Sequence, residues 1–291
     1  MAVQRPAKTT GAKKPVKRTV KSRAKKGEKP GFNWKIPVAA LLLILLSPFY
    51  YGYVLGIFTS TFRWFKDIGV KKGYHSYDDF GIPIPENYTI HGIDVSYYQG
   101  KIDWEKVRAM EEDGVKIRFA FIKATEGLLT VDPYFQRNWR EAPKSGIVVG
   151  AYHFFRPFKD GKWQARFFLQ NARPERGDLP LVVDVETLDG QSSEKMRKEL
   201  KAFIKYVEAK TDTKPIIYTN LSFYQDYLKK DFEGYVFWIA NYYQSKMRLG
   251  KDANWKFWQH SDRATINGVN HDVDMNVFKG DSLDFEKLRL K

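Results

Sequence analysis

An α/β fold is expected for this 291-residue chain: a modified TIM-like (β/α) barrel with reduced helices in its second half, preceded by one transmembrane helix. Three features predict it. From residue 91 onward, short apolar runs alternate with longer amphipathic segments, the pattern of parallel strands joined by helical crossovers. Eight such runs occur, the number that closes a barrel of this type. Ahead of them, residues 36–62 contain no charged residue, and crossing a bilayer as a helix takes about 20 apolar residues.

The chain begins with a basic tail, residues 1–35. It holds twelve Lys/Arg against the single acid Glu28, so it carries +11 of the net charge of +15. The basicity therefore belongs to the tail and leaves the remainder nearly neutral. The uncharged stretch from Ile36 to Phe62 includes the run Leu41–Leu46 and is flanked by Trp34, Tyr50, Tyr51, Tyr53 and Trp64, as interfacial aromatics flank a span. A Lys/Arg excess ahead of a span keeps that side in the cytoplasm. Ser47-Pro48-Phe49-Tyr50 is a poor site for a signal peptidase. The expectation is a single-pass protein of a bacterial cytoplasmic membrane, its N-terminus inside and its large domain outside, with membrane lipid as the tail's partner. Nucleic acid is excluded as a partner of the domain, because the span separates it from the basic tail. Residues 63–90, punctuated by Gly69, Gly73, Gly81, Pro83 and Pro85, read as a linker. Residues 91–291 then form one globular domain. The chain has no cysteine, so disulfides, thiolate metal sites and cysteine nucleophiles are excluded.

Within the domain, strands are predicted at 91–96, 118–123, 147–154, 181–186, 215–219, 235–240, 255–259 and 271–275. Helices are predicted at 104–113, 134–144, 163–171 and 192–210. After the fifth strand the connections lack the pattern of long helices. No internal repeat is present.

Acidic residues recur at strand ends: Asp94, Asp184, Glu186 and Asp274. Positions i and i+2 of a strand face one way, so Asp184 and Glu186 share a side. Barrel active sites lie where the C-terminal strand ends converge. Carboxyl groups crowded there repel, which holds at least one of them protonated, and a proton-bearing acid beside ionised ones is what glycoside cleavage uses. One D-x-E by itself reads as a solvated turn; four acids at strand ends outweigh that reading. A calcium loop starting at Asp272 fails, since its sixth position is Val277 and its twelfth Leu283. The five histidines show no HExxH spacing, and no metal or cofactor is expected.

The segments His91-Gly92-Ile93-Asp94-Val95-Ser96-Tyr97-Tyr98-Gln99-Gly100, Phe121-Ile122-Lys123-Ala124-Thr125-Glu126-Gly127, Gly150-Ala151-Tyr152-His153-Phe154, Val183-Asp184-Val185-Glu186 and Val273-Asp274-Met275-Asn276 resemble glycoside hydrolase family 25 in content, order and spacing, over about residues 90–280. The resemblance implies a lysozyme (N-acetylmuramidase) that cuts the β-1,4 bond between N-acetylmuramic acid and N-acetylglucosamine in peptidoglycan glycan strands. It implies Glu186 as general acid, Asp184 as the partner of the reacting 2-acetamido group, and Asp94 and Asp274 as the rest of an acidic floor. Tyr152, Tyr218, Trp238 and Tyr242 are candidates for a sugar groove. Lys123 is a candidate to balance the acids or bind an acceptor oxygen, with Gln259 and His153 secondary. A chitinase-like D-x-x-D-x-D-x-E is excluded by Leu179 and Val182. The alternative function is a non-catalytic, peptidoglycan-binding scaffold at the membrane. The domain is expected to act as a monomer.

Overall fold

The computed structural model describes residues 73–291 apart from Tyr243, Ser245, Lys251 and Asp252. The expected tail and span lie outside them; among the described residues no helix is long and apolar enough to cross a membrane.

The described chain opens with an antiparallel hairpin, β1 (Tyr74–Tyr77) and β2 (Ile82–Pro85). The barrel strands follow: β3 (His91–Val95), then a two-residue β4 (Glu111–Glu112), β5 (Val115–Glu126), a short β6 (Thr130–Val131), β7 (Val148–Phe154), β8 (Val182–Asp184), β9 (Ile216–Asn220), β10 (Phe237–Ala240), β11 (Trp255–Ala264) and β12 (Val273–Phe278). The order β3-β12-β11-β10-β9-β8-β7-β5 is closed by pairing of β3 with β5, giving eight strands in a ring. All eight predicted strands are present. The uniform parallel sheet expected from the alternation is corrected at one place: β12 runs antiparallel to both of its neighbours, β11 and β3. The loop between β11 and β12 is too short to carry the chain back across the barrel, so the strand descends from the top instead.

Alternate strand positions fill the barrel interior with Phe119, Phe121, Val182, Ile216, Tyr218, Trp238, Phe257 and Phe278. Phe121 stacks on Trp238, their centroids 4.3 Å apart. Glycine faces two of these rings: a Cβ on Gly92 would come within 2.5 Å of the Phe119 ring, and one on Gly150 within 2.7 Å of Phe121. These close approaches explain the glycines at inward positions of β3 and β7.

The first half is wrapped by α1 (Trp104–Ala109), α2 (Phe135–Lys144), α3 (Gly161–Asn171) and α4 (Ser193–Thr211). α4 buries Met196, Leu200, Phe203, Ile204 and Val207, one stripe at helical spacing, and Ser192 caps it by accepting from the Lys195 amide. The helix expected at 104–113 ends at Ala109. Met110 is extended, and Asp113 and Gly114 take positive φ to turn the chain from β4 into β5. After β9 comes only α5 (Leu221–Phe223), continuing as a π turn at Tyr224–Leu228, and after β12 comes α6 (Ser282–Leu288). Phe285 of α6 packs against Phe119 and Phe278 at 5.7 and 5.1 Å and closes the lower end.

The segment expected as a linker at 63–90 is different from Gly73 onward. Phe80, Ile82 and Ile84 are buried in the main core, the Phe80 carbonyl accepts from the Thr265 amide at 2.9 Å, and Glu112 accepts from the Asp78 and Asp79 amides at 2.9 and 3.0 Å. The hairpin covers the outer face beside β11, where this barrel has no helix, so its apolar residues have a surface to bury that linear composition does not reveal.

Candidate active site

The inward positions at the upper strand ends bring the predicted acids together. Asp94 is on β3, directly opposite Asp274 on β12. Because β12 is antiparallel, Asp274 reaches the upper face from the start of its strand, not from its end. Asp184 closes β8 beside Tyr218 of β9, and Glu186 lies two residues further on, less deeply buried than Asp184.

Asp94 is held by an amide scaffold. Its Oδ2 accepts from Gln259 Nε2 at 2.8 Å and from Asn276 Nδ2 at 2.7 Å. Each amide is fixed in turn: Gln259 Oε1 accepts from the hydroxyls of Tyr218 and Tyr242, both at 2.7 Å, and Asn276 Oδ1 accepts from Trp238 Nε1 at 2.7 Å. Fixing both amide oxygens leaves only N–H groups to face the carboxylate. Burial pushes the Asp94 carboxyl up to about 7, against the pull of these two donors. Asp274, facing Asp94 across the strand pair, is pushed well above the carboxylate range by burial and then by the charge of Asp94.

The second pair behaves similarly. Asp184 is raised well above its ordinary value by burial and by the charge of Glu186; Glu186 is raised by burial, opposed by its hydrogen bond from Asp184 and by Lys123. Both carboxyls of the pair are thus raised above their ordinary range. Asp184 Oδ1 is buried with no hydrogen-bond partner among the described residues.

Lys123 ends the inward row of β5, beside Tyr152 of β7. Its ammonium donates to Glu126 at 2.8 Å, and Glu126 is gripped from the other side by Arg156 Nη2 at 2.5 Å. Both cations lie over the Phe154 ring, at 5.1 and 4.7 Å. Lys123 is thus a fixed positive charge at the edge of the acids.

The aromatic candidates divide. Tyr152 and Tyr242 are partly exposed at the mouth. Trp238, 1% exposed, and Tyr218, 7% exposed, are corrected from groove wall to support: strand parity gave their direction but not their depth, and their polar atoms hold Asn276 and Gln259. His153 is a core residue, bonded to Thr125 and stacked on Phe203. Asn276 was missed, although it lies two residues after Asp274 and therefore on the same side. Gln259 proved more central than its secondary ranking.

Comparison with known proteins gives a consistent answer. The profile of glycosyl hydrolases family 25 matches residues 93–269, a range that includes Asp94, Asp184 and Glu186 and stops short of Asp274. The uncharacterized protein YegX of Escherichia coli O6:H1 is 44% identical over 85% of this chain and 91% of its own. Lysozyme M1 of Streptomyces globisporus is 34% identical over 66% of this chain and 68% of its own. The solved structure of a family 25 glycosyl hydrolase from Bacillus anthracis superposes with a TM-score of 0.65 at 34% identity, over 76% of this chain and all of that one.

Proposed function

The chain belongs to glycosyl hydrolase family 25, and on that premise we propose how its residues divide the work. It is a peptidoglycan hydrolase, a lysozyme that cleaves the β-1,4 bond between N-acetylmuramic acid and N-acetylglucosamine. The observation that carries this reading is the convergence of Asp94, Asp184, Glu186 and Asp274 in one mouth of a family 25 barrel.

Glu186, the more accessible member of its pair, delivers the proton to the glycosidic oxygen as the bond from that oxygen to C1 breaks. The proton's departure leaves both carboxylates of the pair ionised. Asp184 then carries the negative charge that faces the 2-acetamido group, whose oxygen closes on C1 in place of a carboxylate nucleophile. This is a substrate-assisted variant of glycoside hydrolysis. Water opens the ring so formed and gives its proton to Glu186. Asp94 and Asp274 form an acidic floor whose charge, once Asp94 ionises, favours the developing oxocarbenium ion. Tyr152 and Tyr242 flank the sugar, and Lys123 limits the repulsion among the acids.

The basic tail and the uncharged stretch at 36–62 support placement at a bacterial cytoplasmic membrane, with the barrel outside. The substrate assignment is tested by digesting purified sacculi and identifying the new reducing end by mass spectrometry. N-acetylmuramic acid is expected there; N-acetylglucosamine would assign the cut to the other bond.

A further inference from the structure

Two large aromatic rings stand in solvent beside the acids, and the hydrolytic steps use neither. Tyr97 and Tyr98, which follow β3, are 44% and 67% exposed. They are stacked on each other, with centroids 4.1 Å apart and ring planes 30° apart.

The turn that carries them is tied down on several sides. Asp132, itself buried, accepts from the Tyr97 amide through Oδ2 at 2.7 Å and from the Tyr134 amide through Oδ1 at 2.9 Å. Gln99 accepts from the Ser96 amide at 2.9 Å and donates to the Asp272 carbonyl at 2.9 Å. Two rings kept out of the core by a turn whose polar groups are so fully engaged form a pre-organised surface, which loses little entropy when it is covered. Their place relative to the acids is set by Lys123: its ammonium lies 6.0 Å from the Tyr97 ring centroid and is close enough to Asp184 and Glu186 to act on both.

We propose that Tyr97 and Tyr98 form an outlying subsite that stacks a pyranose ring of the glycan strand beyond the bond being cut. The proposal rests on the hydrolytic reading above and extends it along the polymer. A sugar ring offers a flat face of C–H bonds that suits an exposed aromatic plane, and a polymeric substrate necessarily continues past the acids in both directions. The stem peptide offers mainly amides and carboxylates, which exposed ring faces do not hydrogen-bond.

The test uses the full chain carrying Glu186→Gln, so that ligands bind without turnover, with and without Tyr98→Ala. Binding of long peptide-free glycan strands, of the same strands bearing stem peptides, and of a single disaccharide is measured by calorimetry. Tyr98→Ala should weaken the long strands about tenfold and the disaccharide less than about twofold, and Tyr98→Trp should restore long-strand affinity. Equal loss on both ligands, no loss on either, or failure of Tyr98→Trp to restore would overturn the proposal. A loss confined to peptide-bearing strands would reassign the rings to the stem peptide and overturn it as well. If the unsubstituted chain binds long strands through Tyr98 but cuts nothing, hydrolysis fails while the subsite stands.

Discussion

Asp94 is a carboxyl on which burial and hydrogen bonding pull in opposite directions, and burial dominates: its value rises to about 7 despite two amide donors. A raised folded-state value means that stability is present below the unfolded carboxylate range and is lost as pH rises through the folded value. Between about pH 4 and 7, the native protein therefore loses stability at Asp94, on the order of a few kcal/mol for a shift of this size. Asp94→Asn keeps an oxygen for Gln259 and Asn276 but cannot ionise, so its Tm should fall less steeply over that interval than the parent's. Parallel Tm profiles would show that Asp94 does not titrate there. Proton delivery gives the second prediction. Glu186→Gln should lower kcat on the order of 10²–10⁴-fold with the fold intact, and Asp184→Asn should also lower it. A substrate with a good leaving group needs little protonation, so it should rescue Glu186→Gln far more than Asp184→Asn; the reverse rescue would exchange their roles. These residues were legible because strand parity fixes the side on which i and i+2 fall. Parity carries no information about depth, which is why Trp238 and Tyr218 read as groove residues and are buried supports. Asn276 stood in plain view as the second inward position of β12, but an amide without a charge gives no signal until the carboxylate that it serves is in place.

At the scale of elements, the strand and helix periodicities were legible for most of the barrel, since each element shows its own buried stripe. Two features depended on packing partners distant in sequence. The direction of β12 follows from the short connection after β11 and cannot be seen in its apolar pattern, which reads the same both ways. The β1–β2 hairpin was obscured by Gly81, Pro83 and Pro85, residues that usually punctuate linkers, although here they shape a turn and an edge whose Ile82 and Ile84 are buried. Where helices are missing outside β11, the barrel's outer face needs another cover, and this hairpin supplies it. A fragment beginning at Gly73 should therefore be soluble and cooperative, whereas one beginning at His91 should expose the apolar surface that Phe80, Ile82 and Ile84 cover and should aggregate. Phe80→Ala, at a site with no solvent exposure, should cost about 3–5 kcal/mol by denaturant titration. If both fragments unfold alike, or Phe80→Ala is neutral, the hairpin is an ornament on a barrel that begins at β3.

For the whole molecule, the uneven distribution of charge is the decisive feature. Twelve Lys/Arg precede residue 36, the next 27 residues carry no charge, and everything after residue 35 holds only +4 of the chain's +15. A cationic tail of that density is costly to move across a bilayer against the membrane potential, whereas the uncharged stretch is long enough to remain in it. On the proposed topology the order of segments leaves the barrel on the outer side, where peptidoglycan is. A reporter enzyme that works only in the cytoplasm, fused after Lys291, should be inactive, and the same reporter fused ahead of Ala2 should be active. The mature chain recovered from membranes should retain its basic tail, and carbonate washing should not release it. An active reporter after Lys291 would place the barrel inside, away from its substrate. A mature N-terminus beyond residue 50 would mean that the apolar stretch is removed, so that the barrel acts as a freely diffusing enzyme rather than a tethered one.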